Sequence, residues 1–214
     1  QLDINLVGSH AGISIGEDGP SQMALEDIAI MRAVAGSTLL YPSDAVSCER
    51  LVETAARTKG IVYIRTGRPI APTIYSTDEP FPVGEFKVLR ESDSDAALVI
   101  GAGVTLHEAL KAYDQLRADG IHVRVIDLYS VKPIDADGLR AQADAAGGKV
   151  VTVEDHYPEG GIGEAVAAVL VSTGTKLTRL AVEGLPRSGK SDELLRAFRI
   201  DADAIEQTVR GVVS

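Results

Sequence analysis

The sequence predicts an α/β protein built from two three-layer α/β/α units, each with a mostly parallel sheet. Apolar runs of strand length alternate with amphipathic runs of helix length along almost the whole chain, a pattern typical of parallel sheets with helices on both faces. The alternation stops once, at the proline-rich and acidic stretch "TDEPFPVGEF", which is typical of a linker. We therefore divide the chain into residues 1–78, a linker at 79–84 and residues 85–214.

The first unit is predicted to contain three strands and two helices. The strands are "DINLVG", "STLLYP" and "GIVYIRTGRP", and the helices are "PSQMALEDIAIMRAVA" and "SDAVSCERLVETAARTK". Pro20 and Ser21 suit a helix start, and Ser43 or Asp44 caps the second helix. Three strands make a thin sheet with an open edge. Because the chain also begins at Gln1 with a strand already under way, we expect a fragment, a processed product or one part of a split protein.

The second unit is predicted to be complete enough to stand alone. Its strands are "AALVIG", "IHVRVIDLYSV", "KVVTVED" and "LTRLAVEG". Its helices are "TLHEALKAYDQLRADG", "DADGLRAQADAAG", "GIGEAVAAVLVST", "SDELLRAF" and "DADAIEQTVRGVV".

Composition and charge exclude several classes of function. The 214-residue chain has a net charge of −10, which argues against nucleic acid or a membrane surface as a partner. Cys48 is the single cysteine, so we predict neither an internal disulfide nor a cysteine metal cluster. No apolar run reaches the length of a membrane span and no signal peptide is visible, so we expect a cytoplasmic protein. A small anionic substrate stays possible, since its pocket needs only a few local cations.

Two stretches match nucleotide-binding motifs. "GLPRSGKS", residues 184–191, has the spacing of a P-loop, but it follows the last recognisable strand, and Pro186 removes an N–H group from a loop that should present them. "GAGVTLHEA" begins like a dinucleotide-binding turn, but Leu106 stands at the third glycine position and Asp127 is only a candidate ribose ligand. We interpret the first as a polar turn before a capped helix and the second as a tight strand-to-helix turn.

The stretch "GSHAGISIGEDGPSQMALED" concentrates polar groups at a strand end. His10 follows the first strand, Asp18 lies in a glycine-bracketed loop, and Gln22 is predicted in the first turn of the next helix. Ligands of α/β proteins bind at this edge of the sheet, and an imidazole, a carboxylate and an amide can hydrogen-bond a polyol. The alternative is that His10 is a structural group and Asp18 a turn residue.

Together with "YPSDAV", "KGIVYIRTGRP", "VIGAGVTLHEAL", "VTVEDHYPEGGIGEAV" and "PRSGKSDELL", this stretch resembles the later portion of transketolase, particularly the animal-like form. The resemblance runs through the whole chain in order. It implies that residues 1–78 are the later half of a pyrimidine-binding domain and that residues 85–214 are the C-terminal domain. The implied activity is transfer of a two-carbon ketol unit from a ketose phosphate to an aldose phosphate in the pentose phosphate pathway.

The resemblance also implies residue roles. His10 resembles the histidine beside the reacting carbons, where an imidazole can stabilise developing charge, and Asp18 resembles the aspartate that binds a sugar hydroxyl. Arg68 resembles the arginine that binds the substrate phosphate, for which a guanidinium fork is well suited. Gln22 is expected near the cofactor's aminopyrimidine. Arg65 could compete with Arg68, but alternation along the strand favours a structural role.

The cofactors implied are thiamine diphosphate and Mg²⁺, in a complete protein that forms a homodimer. In the family, the glutamate that protonates the pyrimidine, the aromatic residue that stacks on it and the Mg²⁺ ligands lie upstream of Gln1. We therefore expect that this chain alone binds neither cofactor and is inactive without an N-terminal portion or subunit.

Two alternatives stay open. Deoxyxylulose-phosphate synthase and the beta subunits of 2-oxoacid dehydrogenases share the implied architecture, although "GEDGPSQ" with "RTGRP" favours transketolase. The other alternative is a non-catalytic fold or assembly module.

Overall fold

Nine strands and seven α-helices follow one another along residues 2–214, the part of the chain that the computed structural model describes. Gln1, on which one sequence expectation rests, lies outside this part. The strands are β1 (Ile4–Gly8), β2 (Thr38–Leu40), β3 (Ile61–Arg65), β4 (Lys87–Arg90), β5 (Leu98–Gly101), β6 (Arg124–Asp127), β7 (Ser130–Lys132), β8 (Lys149–Val153) and β9 (Lys176–Leu180). The helices are α1 (Asp27–Ala33), α2 (Ala45–Arg57), α3 (Val104–Ala118), α4 (Ala136–Ala145), α5 (Ile162–Leu170), α6 (Ser191–Ala197) and α7 (Ala202–Val213).

The first sheet has the strand order β1-β3-β2-β7. The first three strands are parallel, as predicted, whereas β7 pairs antiparallel with β2. The three strands predicted for the first unit are confirmed. The fourth strand of the sheet, β7, was not predicted, because it comes from the second unit. The edge at β1 stays open, and Leu6 and Val7 on it are 44% and 62% exposed.

The second sheet has the order β4-β6-β5-β8-β9 and is parallel except for β4. Strand β4 was not predicted. The single strand predicted at "IHVRVIDLYSV" was also wrong, since β6 belongs to this sheet and β7 to the first. Leu128 and Tyr129 carry the chain from one sheet to the other, and both are fully buried.

Helices cover both faces of the second sheet and confirm the predicted α/β layering. On the central strand β5, Val99 packs in one core with residues of α3 and α7, whereas Leu98 and Ile100 pack in the opposite core with residues of α4 and α5. This alternation is the two-residue period of a strand. Ile13 and Met23 of the first unit belong to the first of these cores, so the two units share apolar core.

Helix α2 begins as the sequence predicts. Asp44 is its N-cap: its Oδ1 accepts a hydrogen bond from Ser47 N at 2.7 Å, and Ser47 Oγ accepts one from Asp44 N at 2.9 Å. Such a reciprocal arrangement satisfies donors that the first helical turn leaves free. The neighbouring segment 79–84 packs closely: Phe81 is 3% exposed, with its ring centroid 4.9 Å from Tyr75 and 5.0 Å from Tyr129.

Helix α1 is shorter than predicted. The stretch 12–26 forms 3₁₀ turns at Ile13–Ile15 and Pro20–Gln22, and α1 starts only at Asp27. Gln22 is therefore in a 3₁₀ turn and not in the first turn of the helix, because positive-φ residues such as Gly19 and Ala24 interrupt regular helix on either side of it. Among residues 2–214, no helix has the length and apolar character needed to cross a bilayer.

Candidate functional site

The candidate site lies at the carboxyl edge of the first sheet, where β1 and β3 end side by side. Thr66 N donates to Gly8 O at 2.8 Å and Ala11 N donates to Thr66 O at 3.1 Å, so the pairing of the two strands continues into the loops that follow. His10 is on the first of these loops and Arg68 is on the second. Parallel strands place ligands at this edge, and the sequence prediction placed His10 there.

Asp18 and Arg68 are brought into contact by these loops. Arg68 Nη1 donates to Asp18 Oδ2 at 2.9 Å and to Ile15 O at 3.4 Å. The pair is half-exposed, with side-chain exposures of 39% for Asp18 and 44% for Arg68. Within residues 2–214, neither Nε nor Nη2 of Arg68 has a hydrogen-bond acceptor. The guanidinium therefore retains donors for an anion.

His10 and Gln22 are exposed, and neither makes a hydrogen bond or an ion pair with Asp18 or Arg68 in the described chain. The His10 Nδ1 atom lies 3.0 Å from Ser9 Oγ. The His10 backbone has φ 64°, the left-handed region that non-glycine residues seldom occupy, and such strain is common at functional sites. The only hydrogen bond of Gln22 within the described chain joins its backbone N to Gly19 O at 3.2 Å. Arg68 and Asp18 thus form the one direct contact among the four candidate residues in residues 2–214.

A cleft of about 810 Å³ opens beside Arg68, between the two units. Its walls include Arg68 and Ile70 from the first unit and His107 and Lys111 from α3. Lys111 is 65% exposed and pairs with Glu108 at 2.7 Å. The cleft leaves the Arg68 guanidinium accessible from solvent.

A buried ion pair lies beneath the site. The Arg65 side chain is fully buried, and its Nε donates to Oδ1 and Oδ2 of Asp27 at 2.9 and 3.0 Å. Its Nη1 donates to Tyr41 Oη at 2.6 Å and its Nη2 to Asp155 O at 2.8 Å. Arg65 is therefore structural, as its position on the strand indicated, and it joins β3, α1 and the end of β8.

His156 lies against this ion pair as a neutral imidazole. Its Nδ1–H donates to Tyr157 O at 2.6 Å, and its Nε2 accepts from Ala29 N at 3.4 Å. A histidine that accepts at one nitrogen is uncharged. Burial, and then the charge of Arg65, lower the pKa of His156 to about 4.

Sequence reasoning missed this network. Asp27, Asp155 and His156 were not singled out, although Asp155 and His156 directly follow an apolar strand in "VTVEDHY". Titratable residues at the carboxyl end of a buried strand were the signal that could have found Asp155 and His156. Their partners are more than 30 residues away in sequence, which a reading of local patterns does not reach.

The P-loop-like stretch forms an open turn. Lys190 is exposed, lies 3.8 Å from Glu193 and makes no side-chain capping bond to α6. The turn agrees with our interpretation, but the expected cap was wrong. Pro186 is buried, and Gly189 N donates to Gly16 O at 3.4 Å, so the turn packs against the loop that carries Asp18.

The dinucleotide-like turn is explained by packing. A side chain at Gly101, the last residue of β5, would meet Leu106 N in the first turn of α3 at 3.0 Å, and one at Gly103 would meet the Tyr41 ring at 2.3 Å. Asp127 is fully buried and accepts from Ser43 Oγ at 2.9 Å and Tyr75 Oη at 2.6 Å. Both carboxyl oxygens of Asp127 therefore accept hydrogen bonds from side chains of the first unit, and neither faces a ribose site.

Asp127 gives the protein a pH-dependent stability. Burial raises its pKa to about 7, from 3.8. Between these two pH values the Asp127 carboxyl is ionised in the unfolded chain but protonated in the folded chain. Its contribution to the free energy of unfolding is therefore fully present below pH 4 and is lost as the pH rises to about 7. We expect Asp127→Asn to gain stability relative to the wild type over that interval, measured by urea unfolding at several pH values. If the free energies of unfolding of the two proteins depend on pH in the same way, the expectation is contradicted. Below pH 4 both proteins carry a neutral group at position 127, so the difference between their free energies of unfolding should stop changing.

Metal ligation is not provided by these residues. Among residues 2–214, no group of three or more His, Cys, Asp or Glu side chains is placed to hold an ion.

The comparisons with known proteins identify one family along the chain. Residues 1–73 match the family model described as transketolase, pyrimidine binding domain, and residues 84–205 match transketolase, C-terminal domain. Over its full length, the chain is 57% identical to transketolase of Mus musculus and 55% identical to that of Homo sapiens. It spans 34% of the length of each of these relatives.

Solved structures share the fold. A split-gene transketolase, described as an inactive beta4 tetramer, is 33% identical and superposes with a TM-score of 0.91, covering 100% of this chain and 68% of that one. A transketolase mutant of Pichia stipitis is 19% identical with a TM-score of 0.81, covering 99% of this chain and 30% of that one, and it supports the fold alone. Both halves of the chain therefore match one family, and the chain belongs to the transketolase family.

Proposed function

We propose that this chain is part of an enzyme that transfers a two-carbon ketol unit from a ketose phosphate to an aldose phosphate, in the pentose phosphate pathway. The observation that carries the proposal is the Asp18–Arg68 contact of 2.9 Å at the open end of β1 and β3, in a chain of this family. It sets a hydroxyl acceptor beside a phosphate donor, and sugar phosphates present both groups.

In this proposal each exposed side chain has its own part of the substrate. Arg68 binds the phosphate with the donors that the protein leaves free, and Asp18 accepts a hydrogen bond from a sugar hydroxyl. His10 donates to oxygens at the other end of the sugar, where negative charge develops in the reaction. Gln22 is assigned to the cofactor's aminopyrimidine on the sequence resemblance, and its exposed side chain is free for such a contact.

The family uses thiamine diphosphate and a divalent metal ion. The side chains of residues 2–214 do not fit the metal, because they form no set of three ligands. We therefore assign Mg²⁺ and the diphosphate to the rest of the protein. Two findings support the view that this portion alone does not catalyse the reaction. The chain spans about a third of the length of the curated relatives it matches, and the related split-gene beta4 tetramer is described as inactive. A homodimer in the cytoplasm is part of the same proposal, on the sequence resemblance.

The test is a product assay on the complete protein that contains this chain. A ketose phosphate donor with an aldose phosphate acceptor should give a donor shortened by two carbons and an acceptor lengthened by two. Formation of product from pyruvate and glyceraldehyde phosphate instead would assign the chain to the deoxyxylulose-phosphate synthases. No turnover with either pair would favour the assembly module.

A further inference from the structure

The loop that carries His10 and Asp18 is held by the C-terminal unit. We call residues 10–19 the site loop. The Asp155 carboxylate, at the end of β8, is 1% exposed and accepts from Ile13 N at 2.7 Å and Ser14 N at 3.3 Å. A side chain at Gly12, which has φ 93°, would lie 2.0 Å from Asp155 Oδ2. Glycine at this position therefore lets the carboxylate reach the loop backbone.

A second support comes from the P-loop-like turn. The carbonyl oxygen of Gly189 lies 2.9 Å from where a Cβ of Gly16 would be, and Ser188 Oγ lies 2.7 Å from the equivalent point of Gly19. Gly19 directly follows Asp18, whose carboxylate meets Arg68. The close approaches to the site loop at Gly12, Gly16 and Gly19 thus all come from the C-terminal unit, and the last of them is adjacent to a candidate substrate-binding residue.

The site loop has little regular structure of its own. Its 3₁₀ turn at Ile13–Ile15 has backbone bonds of 3.3 Å from Ile15 N to Gly12 O and 3.0 Å from Gly16 N to Ile13 O. Short 3₁₀ turns are weakly held, whereas hydrogen bonds from backbone N–H to a buried carboxylate are among the stronger ones. The first unit holds the start of the loop, where Gly12 N donates to Met23 O at 2.6 Å. The two bonds to Asp155 fix the 3₁₀ turn that follows, between His10 and Asp18.

We propose that Asp155 is a positioning residue for substrate binding, and that the C-terminal unit supports the site by fixing the site loop through Asp155 and through the turn at Ser188–Gly189. The effect of Asp155 on turnover rests on the proposed function. The effect of Asp155 on the site loop does not, because it depends only on the contacts described above.

The test compares two neighbouring buried carboxylates in the complete protein. Glu154 is fully buried and accepts from Gly163 N at 3.0 Å and from Ile162 N at the start of α5. It therefore matches Asp155 in burial and in bonding to two backbone N–H groups, but it holds a helix and not the site loop. In Asp155→Asn, we expect hydrogen exchange of the amides of residues 11–16 to be at least tenfold faster, whereas Glu154→Gln should leave those amides at the wild-type rate.

The kinetic arm separates positioning from general stability. Asp155→Asn should lower kcat/KM at least tenfold, and equally for phosphorylated and unphosphorylated acceptors, because it displaces His10 and Asp18 and not the phosphate ligand alone. Glu154→Gln should leave kcat/KM unchanged. If Asp155→Asn does not accumulate as folded protein, Gly12→Ala displaces the same carboxylate and should accelerate the same amides.

The outcomes are distinct. Wild-type exchange in residues 11–16 of a folded Asp155→Asn or Gly12→Ala protein overturns the inference, as does equal acceleration in Glu154→Gln. Absence of ketol transfer in the wild-type protein overturns the proposed function and leaves the exchange result to decide the inference.

Discussion

Replacement of Asp27 by alanine is expected to lower the free energy of unfolding by about 3–5 kcal/mol, the usual cost of leaving a buried charge unpaired. Asp27 is the acidic partner of Arg65, whose side chain has no solvent exposure. The other acceptors of the guanidinium, Tyr41 Oη and Asp155 O, carry no full charge. The variant also leaves the Tyr63 hydroxyl without the carboxylate to which it donates at 2.7 Å.

Urea unfolding of the chain, followed by circular dichroism, measures this effect. The double variant Asp27→Ala/Arg65→Met should be more stable than Asp27→Ala, because it removes the charge that the single change strands. As a control, Asp137→Ala breaks the ion pair with Arg140, in which the Asp137 side chain is 99% exposed, and should give no measurable change. A double variant no more stable than Asp27→Ala would mean that the loss comes from packing around α1.

Replacement of Arg68 by alanine in the complete protein should lower kcat/KM for a phosphorylated acceptor roughly 10- to 150-fold. This corresponds to a loss of about 1.5–3 kcal/mol of transition-state stabilisation. Hydrogen bonds to a charged group are usually of that size. An unphosphorylated acceptor of the same length should lose much less, because it never makes the contact. Arg68→Lys should recover part of the loss, since an ammonium supplies charge without the planar fork.

The structure adds a further element to this experiment. Arg68 also holds Asp18, so its removal frees a carboxylate that is proposed to bind a hydroxyl. A small loss with the unphosphorylated acceptor is therefore expected. Arg57→Ala, which removes an exposed cation in the last turn of α2, controls for the change in net charge. Equal losses with both acceptors would show that Arg68 acts through Asp18 or the fold and not through the phosphate.

Local patterns predicted those elements whose determinants are local. Asp44 caps α2 through Ser47, three residues away, so the helix start could be predicted from the sequence. The alternation of Leu98, Val99 and Ile100 between two cores is likewise visible in a short window. The layered α/β class follows from such windows.

Other features are set by partners distant in the chain. In the run from Ile121 to Val131 nothing local marks the change of sheet, because β6 and β7 differ in their partners, β5 and β2, and not in composition. The 3₁₀ turn at Ile13–Ile15, which stands well before α1, is bonded to Asp155 through the amides of Ile13 and Ser14, about 140 positions away in the chain. The contact between Asp18 and Arg68 crosses 50 positions. The resemblance proposed each of these two residues for the substrate, but their direct contact is visible only in the folded chain.

The strand exchange at β7 has a consequence for how this region can be recombined. A crossover between two homologous genes at positions 79–84 would combine β2 from one parent with β7 from the other, across an irregular register at Leu39 and Leu40. Chimeras made there must therefore retain compatible residues at 38–40 and 130–132. A crossover that takes β2 and β7 from the same parent would preserve their pairing, although it would lie outside the segment 79–84.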